Sequence, residues 1–354
     1  MWQGIYGHDA IVDNFRRALS RGRLGSTYLF IGPDGIGKRT FALALAKCLF
    51  CEQRPDAALD ACGKCPSCQQ MDAGTNPDLH QVGLPEGKAS IPIDLLVGSQ
   101  DKRMREGLCY EISLKPFLGG RKVALINDAD YLNRAEVANS LLKTLEEPPP
   151  NSLIILIGTS ADKQLVTIRS RSQTILFQPL EVADIARILV EKQMLDDPAE
   201  ARRLAEFSEG SLTRAVELTD REIWTFRGDL LRQLAHPRMQ SVPLGKSVAA
   251  FVEAAGKEAP LRRARARLVL GFAAQFYREL LRRQAGLHSS VDTELRTHLD
   301  TAAKQPVDMD LTAARADRCL EAIQHVDRNA NQSILLDAWA DDLSHGRLAA
   351  IELL

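Results

Sequence analysis

The chain has 354 residues, 45% hydrophobic and 26% charged, with a formal net charge of −1. That length exceeds one ordinary domain and predicts two or three, while the near-neutral balance supplies no global basic field to draw nucleic acid. No stretch of about 18 apolar residues spans a membrane and residues 1–15 lack the apolar core of a signal peptide, so a cytoplasmic protein with reduced thiols is expected.

In chain order, the first clear element is the apolar run Thr27–Ile31, a buried strand. A glycine-rich stretch follows, then an Ala- and Leu-rich helix over residues 40–50. Further buried strands are expected at 123–126, 153–157 and 174–177, with a helix over 135–147 stopped by Pro148, Pro149 and Pro150. Strands alternating with helices predict an α/β domain with a mostly parallel sheet. Residues 102–120 read as an irregular insertion. After Pro179 only helical periodicity remains: residues 182–191, 198–208 and 211–218 form a small helical domain, and the two prolines in 237–243 suggest a linker. Beyond it, Leu268, Phe272, Phe276 and Leu280 share one helix face, and Leu320, Ile323 and Val326, then Leu335, Leu336, Trp339 and Leu343, continue the pattern.

Between the first strand and its helix, Gly32-Pro33-Asp34-Gly35-Ile36-Gly37-Lys38 matches the G-x-x-x-x-G-K part of a phosphate-binding loop. Glycines let backbone N–H groups wrap a phosphate without Cβ clashes, and Lys38 with the helix N-terminus supplies positive charge. The next residue should be Ser or Thr to hold Mg²⁺. Here it is Arg39, and Thr40 comes one position late, turned by about 100°. Two readings follow: an ATP/Mg²⁺ site, or a relic loop that keeps the fold. The strand over 123–126 leads into Asn127 and Asp128, where a nucleotide-hydrolysing enzyme carries Asp for Mg²⁺ and Glu for the attacking water. Asn127 is neutral and Asp128 a methylene short, so hydrolysis is less expected than binding. Thr159, at the end of the 153–157 strand, either senses a γ-phosphate or caps the strand.

Cys51, Cys62, Cys65 and Cys68 have the spacing C-x10-C-x2-C-x2-C. Four thiolates at such spacing grip one tetrahedral Zn²⁺ in a closed, structural site. Cys48, Cys109 and Cys319 read as packing positions. Arg171, just before the last strand, is either a solvated loop residue or an arginine finger for a neighbour's ATP site. The run Arg262, Arg263, Arg265 and Arg267 reads as a solvated helix face.

Together these pieces resemble the bacterial sliding-clamp loader subunits of the AAA+ class. The similarity is carried by the phosphate loop, the cysteine cluster placed straight after its helix, and Leu141-Leu142-Lys143-Thr144-Leu145-Glu146-Glu147-Pro148-Pro149. Ser170-Arg171-Ser172 resembles the family's Ser-Arg-Cys motif, with Ser172 departing from it. Gly210-Ser211-Leu212 resembles the start of the lid's sensor helix, with Thr213 where an arginine is expected and Arg214 one residue late. Arg328-Asn329-Ala330-Asn331, with Leu335 and Leu336, resembles the collar's closing helix. The resemblance implies a P-loop domain over 1–179 with a zinc module at about 51–68, a helical lid over 180–236 and an all-α oligomerisation collar over 240–354. It also implies a hetero-pentamer with gamma/tau and delta subunits that places a sliding clamp on primed DNA within the DNA polymerase III assembly. No carboxylate pair suited to nucleotidyl transfer is present. Within the family, altered motifs at Arg39, Asn127 and Asp128 point to the delta-prime branch, whose Arg171 would act in trans, rather than to the gamma/tau motor.

Overall fold

A computed structural model describes residues 2–345 except 89, 104, 119, 133–134, 288–291, 305–307 and 329; Asn329 and the last residues of the expected collar thus lie outside the described residues. The chain forms two compact units, Met1–Thr219 and Asp220–Leu354.

The first unit opens with α1 (Asp9–Ser20), which buries Ile11, Val12, Phe15 and Leu19 along one stripe. Strand β1 (Thr27–Ile31) follows, then α2 (Lys38–Phe50), α3 (Pro66–Ala73) and β2 (Leu79–Val82). Two short helices, α4 (Ile93–Val97) and α5 (Leu108–Ser113), precede β3 (Lys122–Ile126). Then come α6 (Ala135–Glu146), β4 (Ser152–Gly158), α7 (Val166–Arg169) and β5 (Gln173–Leu176). The five strands form one sheet in the order β2-β3-β4-β1-β5, parallel throughout, with Leu29 opposite both Leu156 and Thr174 and Leu125 opposite Ile155.

Sequence and burial agree in this sheet. Every residue of β1, β3 and β4 is buried, as expected for strands covered on both faces. The outer β2 and β5 are partly exposed. Alternation splits β1 between two cores. Leu29 and Ile31 join Leu96, Ile112, Leu141, Leu156 and Ile168 on one face. Tyr28 and Phe30 enter an aromatic cluster on the other, with Phe30 and Phe177 ring centroids 4.9 Å apart and Phe15 and Tyr28 5.0 Å apart.

The expected irregular insertion is partly ordered into α5, which buries Leu108, Cys109 and Ile112. Three apolar positions over one and a half turns are too short a pattern to stand out in sequence. The segment after α5 is held by buried Asp78, which accepts from the N–H of Phe117 (2.7 Å) and Leu118 (2.9 Å) and faces Lys122 at 3.5 Å. The unit ends with α8 (Val182–Glu191), α9 (Pro198–Phe207) and α10 (Leu212–Glu217).

The second unit is entirely helical among its described residues. It contains α11 (Arg221–Leu234), α12 (Ser241–Glu253), α13 (Ala259–Gln284), α14 (Thr293–Ala303), α15 (Met309–Asp327) and α16 (Gln332–His345). The break between units falls at residue 219, ahead of the 237–243 segment, and Pro243 lies in the first turn of α12, where no intrahelical N–H is needed. The expected face of α13 is buried at Leu268, Phe272, Phe276 and Leu280, and α16 buries Leu335, Leu336, Trp339 and Leu343. On α15 the expected face is offset: Leu320 is 51% exposed, while Cys319, Ala322 and Val326 are buried. Trp339 fixes that offset by donating its Nε1–H to Cys319 Sγ at 3.4 Å.

Candidate functional site

The glycine loop leaves the C-terminal edge of β1 and turns into α2, the place where open parallel sheets bind ligands. Gly35 and Gly37 hold φ of 75° and 91°, a region costly for residues with a Cβ. A Cβ at Gly32 would lie 2.5 Å from the Phe177 carbonyl oxygen, and one at Gly35 would collide with Ser211 and Thr213. Two contacts fix the loop from outside: Leu212 N–H donates to Gly35 O at 2.9 Å, and His8 Nε2–H donates to Ile36 O at 2.7 Å. Burial between Phe41 and Phe177 lowers the pKa of the His8 imidazole from its ordinary value.

Lys38 opens α2, whose N-terminus carries no side-chain cap. Only 6% exposed, it donates through Nζ to Gly32 O at 2.6 Å and Pro33 O at 2.5 Å. Desolvation draws its pKa downward, partly offset by Asp34, Asp130 and Asp128. A cavity of about 520 Å³ adjoins the loop and is lined by Asp34, Gly35, Gly37, Lys38, Arg39 and Thr40 on one side. Gly83, Leu84, Asn127, Asp128, Ile157, Leu212 and Thr213 complete it. The phosphate loop and the end of β3, about 90 residues apart in sequence, thus meet at one site because β1 and β3 flank β4.

Thr40, expected to face elsewhere, lines the same cavity. The 100° turn places it on the flank of the helix, and the cavity wraps around that flank. The residues in magnesium positions do not suit the ion, which demands near-octahedral oxygen ligands. Arg39 stands where the hydroxyl ligand belongs and Asn127 where the carboxylate belongs. Asn127 Oδ1 is buried without a hydrogen-bond partner among the described residues. Asp128, at φ 56°, accepts from Leu84 N–H at 3.3 Å, and burial pushes its pKa up. For phosphate the fit is better: a Cβ-free loop, an uncapped helix N-terminus and Lys38.

Thr159 is not among the residues lining the cavity. Its N–H donates to Asp130 Oδ1 at 3.0 Å and its hydroxyl also bonds Asp130. Asp130 further receives Gln164 Nε2, tying the ends of β3 and β4 together. Arg171 also stands apart from the cavity, at the turn into β5. Its Nε donates to Glu146 Oε1 at 2.7 Å and its Nη1 to Thr167 O at 3.0 Å. Its side chain is 31% exposed, so the guanidinium remains within reach of solvent.

The four cysteines converge as their spacing predicts. Cys51 closes α2, Cys62 and Cys65 flank a turn, and Cys68 sits in the first turn of α3, with all four Sγ atoms within 4.8 Å of one another. The Cys62 and Cys68 sulfurs are 4.0 Å apart, close to the roughly 3.8 Å edge of a tetrahedron with 2.3 Å zinc–sulfur bonds. Backbone N–H groups point at the sulfurs, from Cys62 to Cys51 (3.4 Å) and from Lys64 (3.4 Å) and Cys65 (3.3 Å) to Cys62. Those of Lys64 and Cys65 bring the Cys62 thiol down to about 6, while burial pushes Cys68 up to about 12. The group can hold a metal ion. Cys48, Cys109 and Cys319 are buried and separate from it, as read from sequence. His8 and Asp130 were not singled out there: a lone histidine near the N-terminus and an aspartate two residues past another give no motif.

A parallel five-stranded sheet with a glycine loop of phosphate-binding pattern after β1, followed by helices, defines a P-loop domain of the AAA+ class. A family model described as DNA polymerase III, delta subunit, matches residues 7–181. The chain is 36% identical to the DNA polymerase III subunit delta' of Bacillus subtilis (strain 168), over 57% of this chain and 56% of that one. It is 31% identical to the Escherichia coli (strain K12) subunit delta', over 68% of this chain and 67% of that one. It is 32% identical to the Escherichia coli subunit tau, over 72% of this chain and 38% of that one. The chain belongs to the bacterial DNA polymerase III clamp-loader family. It spans less than two thirds of the length of two of these three relatives. No helix among the described residues is long and apolar enough to cross a membrane.

Proposed function

We propose that this chain is a delta'-type subunit of a clamp loader, a partner in DNA replication that lends a catalytic arginine to a neighbour and hydrolyses little or no ATP itself. One observation carries the choice over the tau/gamma motor. The cavity keeps the loop and Lys38 but sets Arg39 and Asn127 where metal ligands belong and the short Asp128 where the water-polarising carboxylate belongs. Similarity alone does not decide, since delta' and tau relatives match at comparable identity.

In this reading residues 1–179 are the P-loop domain, 180–236 the lid and 240–354 the collar of a hetero-pentamer with gamma/tau and delta. The assembly opens a sliding clamp and sets it on primed DNA in the cytoplasm. Arg171 completes the ATP site of an adjacent gamma/tau subunit, and Cys51, Cys62, Cys65 and Cys68 hold a structural Zn²⁺. Lys38 and the loop glycines contact phosphate if nucleotide is bound. The test is ATP turnover by the isolated chain. Turnover at background level is expected, whereas robust hydrolysis abolished by Lys38→Ala would assign the chain to the motor branch.

A further inference from the structure

The cavity has lost its magnesium ligands without losing its positive charge. A dication beside one carboxylate presents one net positive charge to a phosphate. An arginine beside a neutral asparagine presents the same. Arg39 and Asn127 both line this cavity, so the two replacements, separately read as defects, compensate each other electrostatically.

The position of Arg39 suits such a role. It follows Lys38 in the first turn of α2, where the helix N-terminus already favours anions. A guanidinium carries five N–H donors in a planar fork matched to phosphate oxygens. The bond found for Arg39 is one at 3.3 Å to Gln81 Oε1, a long contact that a charged oxygen can displace. Asn127 Oδ1 is buried at the same site with no partner among the described residues. It is thus an acceptor free for a ligand hydroxyl or, with the amide turned over, a donor for a phosphate oxygen. Lys38 likewise spends its ammonium on two loop carbonyls, neutral acceptors weaker than phosphate.

We propose that the cavity binds the polyphosphate chain of a nucleotide without a metal ion, with the Arg39 guanidinium standing in the place of Mg²⁺. The nucleotide is then held and not hydrolysed, because no group positions a metal or an attacking water. This inference deepens the non-hydrolysing reading above and rests on it.

Binding of ATP and ADP to the full chain, measured by calorimetry in EDTA and in excess Mg²⁺, tests the inference. The affinities in the two buffers are expected to agree within about twofold. Arg39→Thr, which restores a hydroxyl at the metal position, should weaken binding in EDTA by about tenfold or more, as expected for lost charge-assisted hydrogen bonds. Arg39→Lys should retain part of the affinity. A wild-type chain that binds only with Mg²⁺, that binds neither nucleotide, or whose EDTA affinity is unchanged by Arg39→Thr overturns the proposal. ATP hydrolysis followed in the same samples reports separately on the stator reading: turnover sinks that reading, whereas metal-dependent or absent binding without turnover sinks only this one.

Discussion

Replacing Arg171 with alanine separates a structural from a catalytic use of this residue. In the chain alone the guanidinium rests on Glu146 at 2.7 Å and on Thr167 O at 3.0 Å. Side-chain exposures of 31% for Arg171 and 48% for Glu146 make this a surface pair. Such pairs contribute about 0.2–1 kcal/mol, so releasing the arginine toward a neighbouring subunit costs at most about a fivefold factor. Loss of the side chain should therefore lower the stability of the isolated chain by no more than about 1 kcal/mol. A finger that stabilises a transferring phosphoryl group is worth about 10³–10⁵ in rate at the site it serves. Two readouts that a merely structural residue would move together are thus expected to part company. The melting temperature of the Arg171→Ala chain should stay near that of the wild type and the complex with gamma/tau and delta should still assemble. DNA- and clamp-stimulated ATPase of that complex should lose the share of the site next to this subunit. Arg171→Lys should rescue little, because an ammonium lacks the planar fork. An assembled complex with unchanged turnover would refute the reasoning, and so would a variant that fails to assemble for want of folding while Glu146→Gln fails in the same way.

Two further outcomes follow from the geometry. Purified protein should carry about one Zn²⁺ per chain, and Cys65→Ser should remove it and open residues 51–68 to limited proteolysis; a folded wild-type chain free of metal would contradict this. For pH, the folded His8 imidazole titrates below its ordinary value because of burial, while the unfolded one protonates near pH 6.5. The unfolded state therefore takes up the proton first, so stability from neutral His8 is full above about 6.5 and declines as pH falls toward the folded value. His8→Gln, which keeps a donor for Ile36 O, should show a smaller drop in melting temperature between about pH 7.5 and pH 5.5 than the wild type. His80 and His298 are depressed too and cancel in the comparison; equal drops would show that His8 carries none of the effect.

Much of this protein was legible in its linear order. The central strands announced themselves as short apolar runs because a parallel strand covered on both faces admits no polar alternation. The cysteine cluster was legible because its ligands are local: three of the four fall within seven residues and one short turn brings them together. What escaped was of two kinds. The outer strand β2 and the helix α1 have mixed composition, since one side of each meets water. His8 acts through one contact to a loop backbone and Asp130 through contacts to Thr159 and Gln164, and such isolated side-chain contacts leave no periodicity to detect.

The amino-acid order by itself determined the local chemistry: which residues form the loop, which thiols can share a metal, and that Arg39 and Asn127 depart from the hydrolytic pattern. Only the tertiary structure decided which of these act at one place. The order of strands in the sheet brings the ends of β1 and β3 to a common cavity; Thr40, on the flank of α2, lines it, while Thr159 after β4 and Arg171 before β5 do not. Chemistry is written in side chains, but proximity between distant segments comes from backbone pairing and from burial summed over the whole core, which no single segment contains.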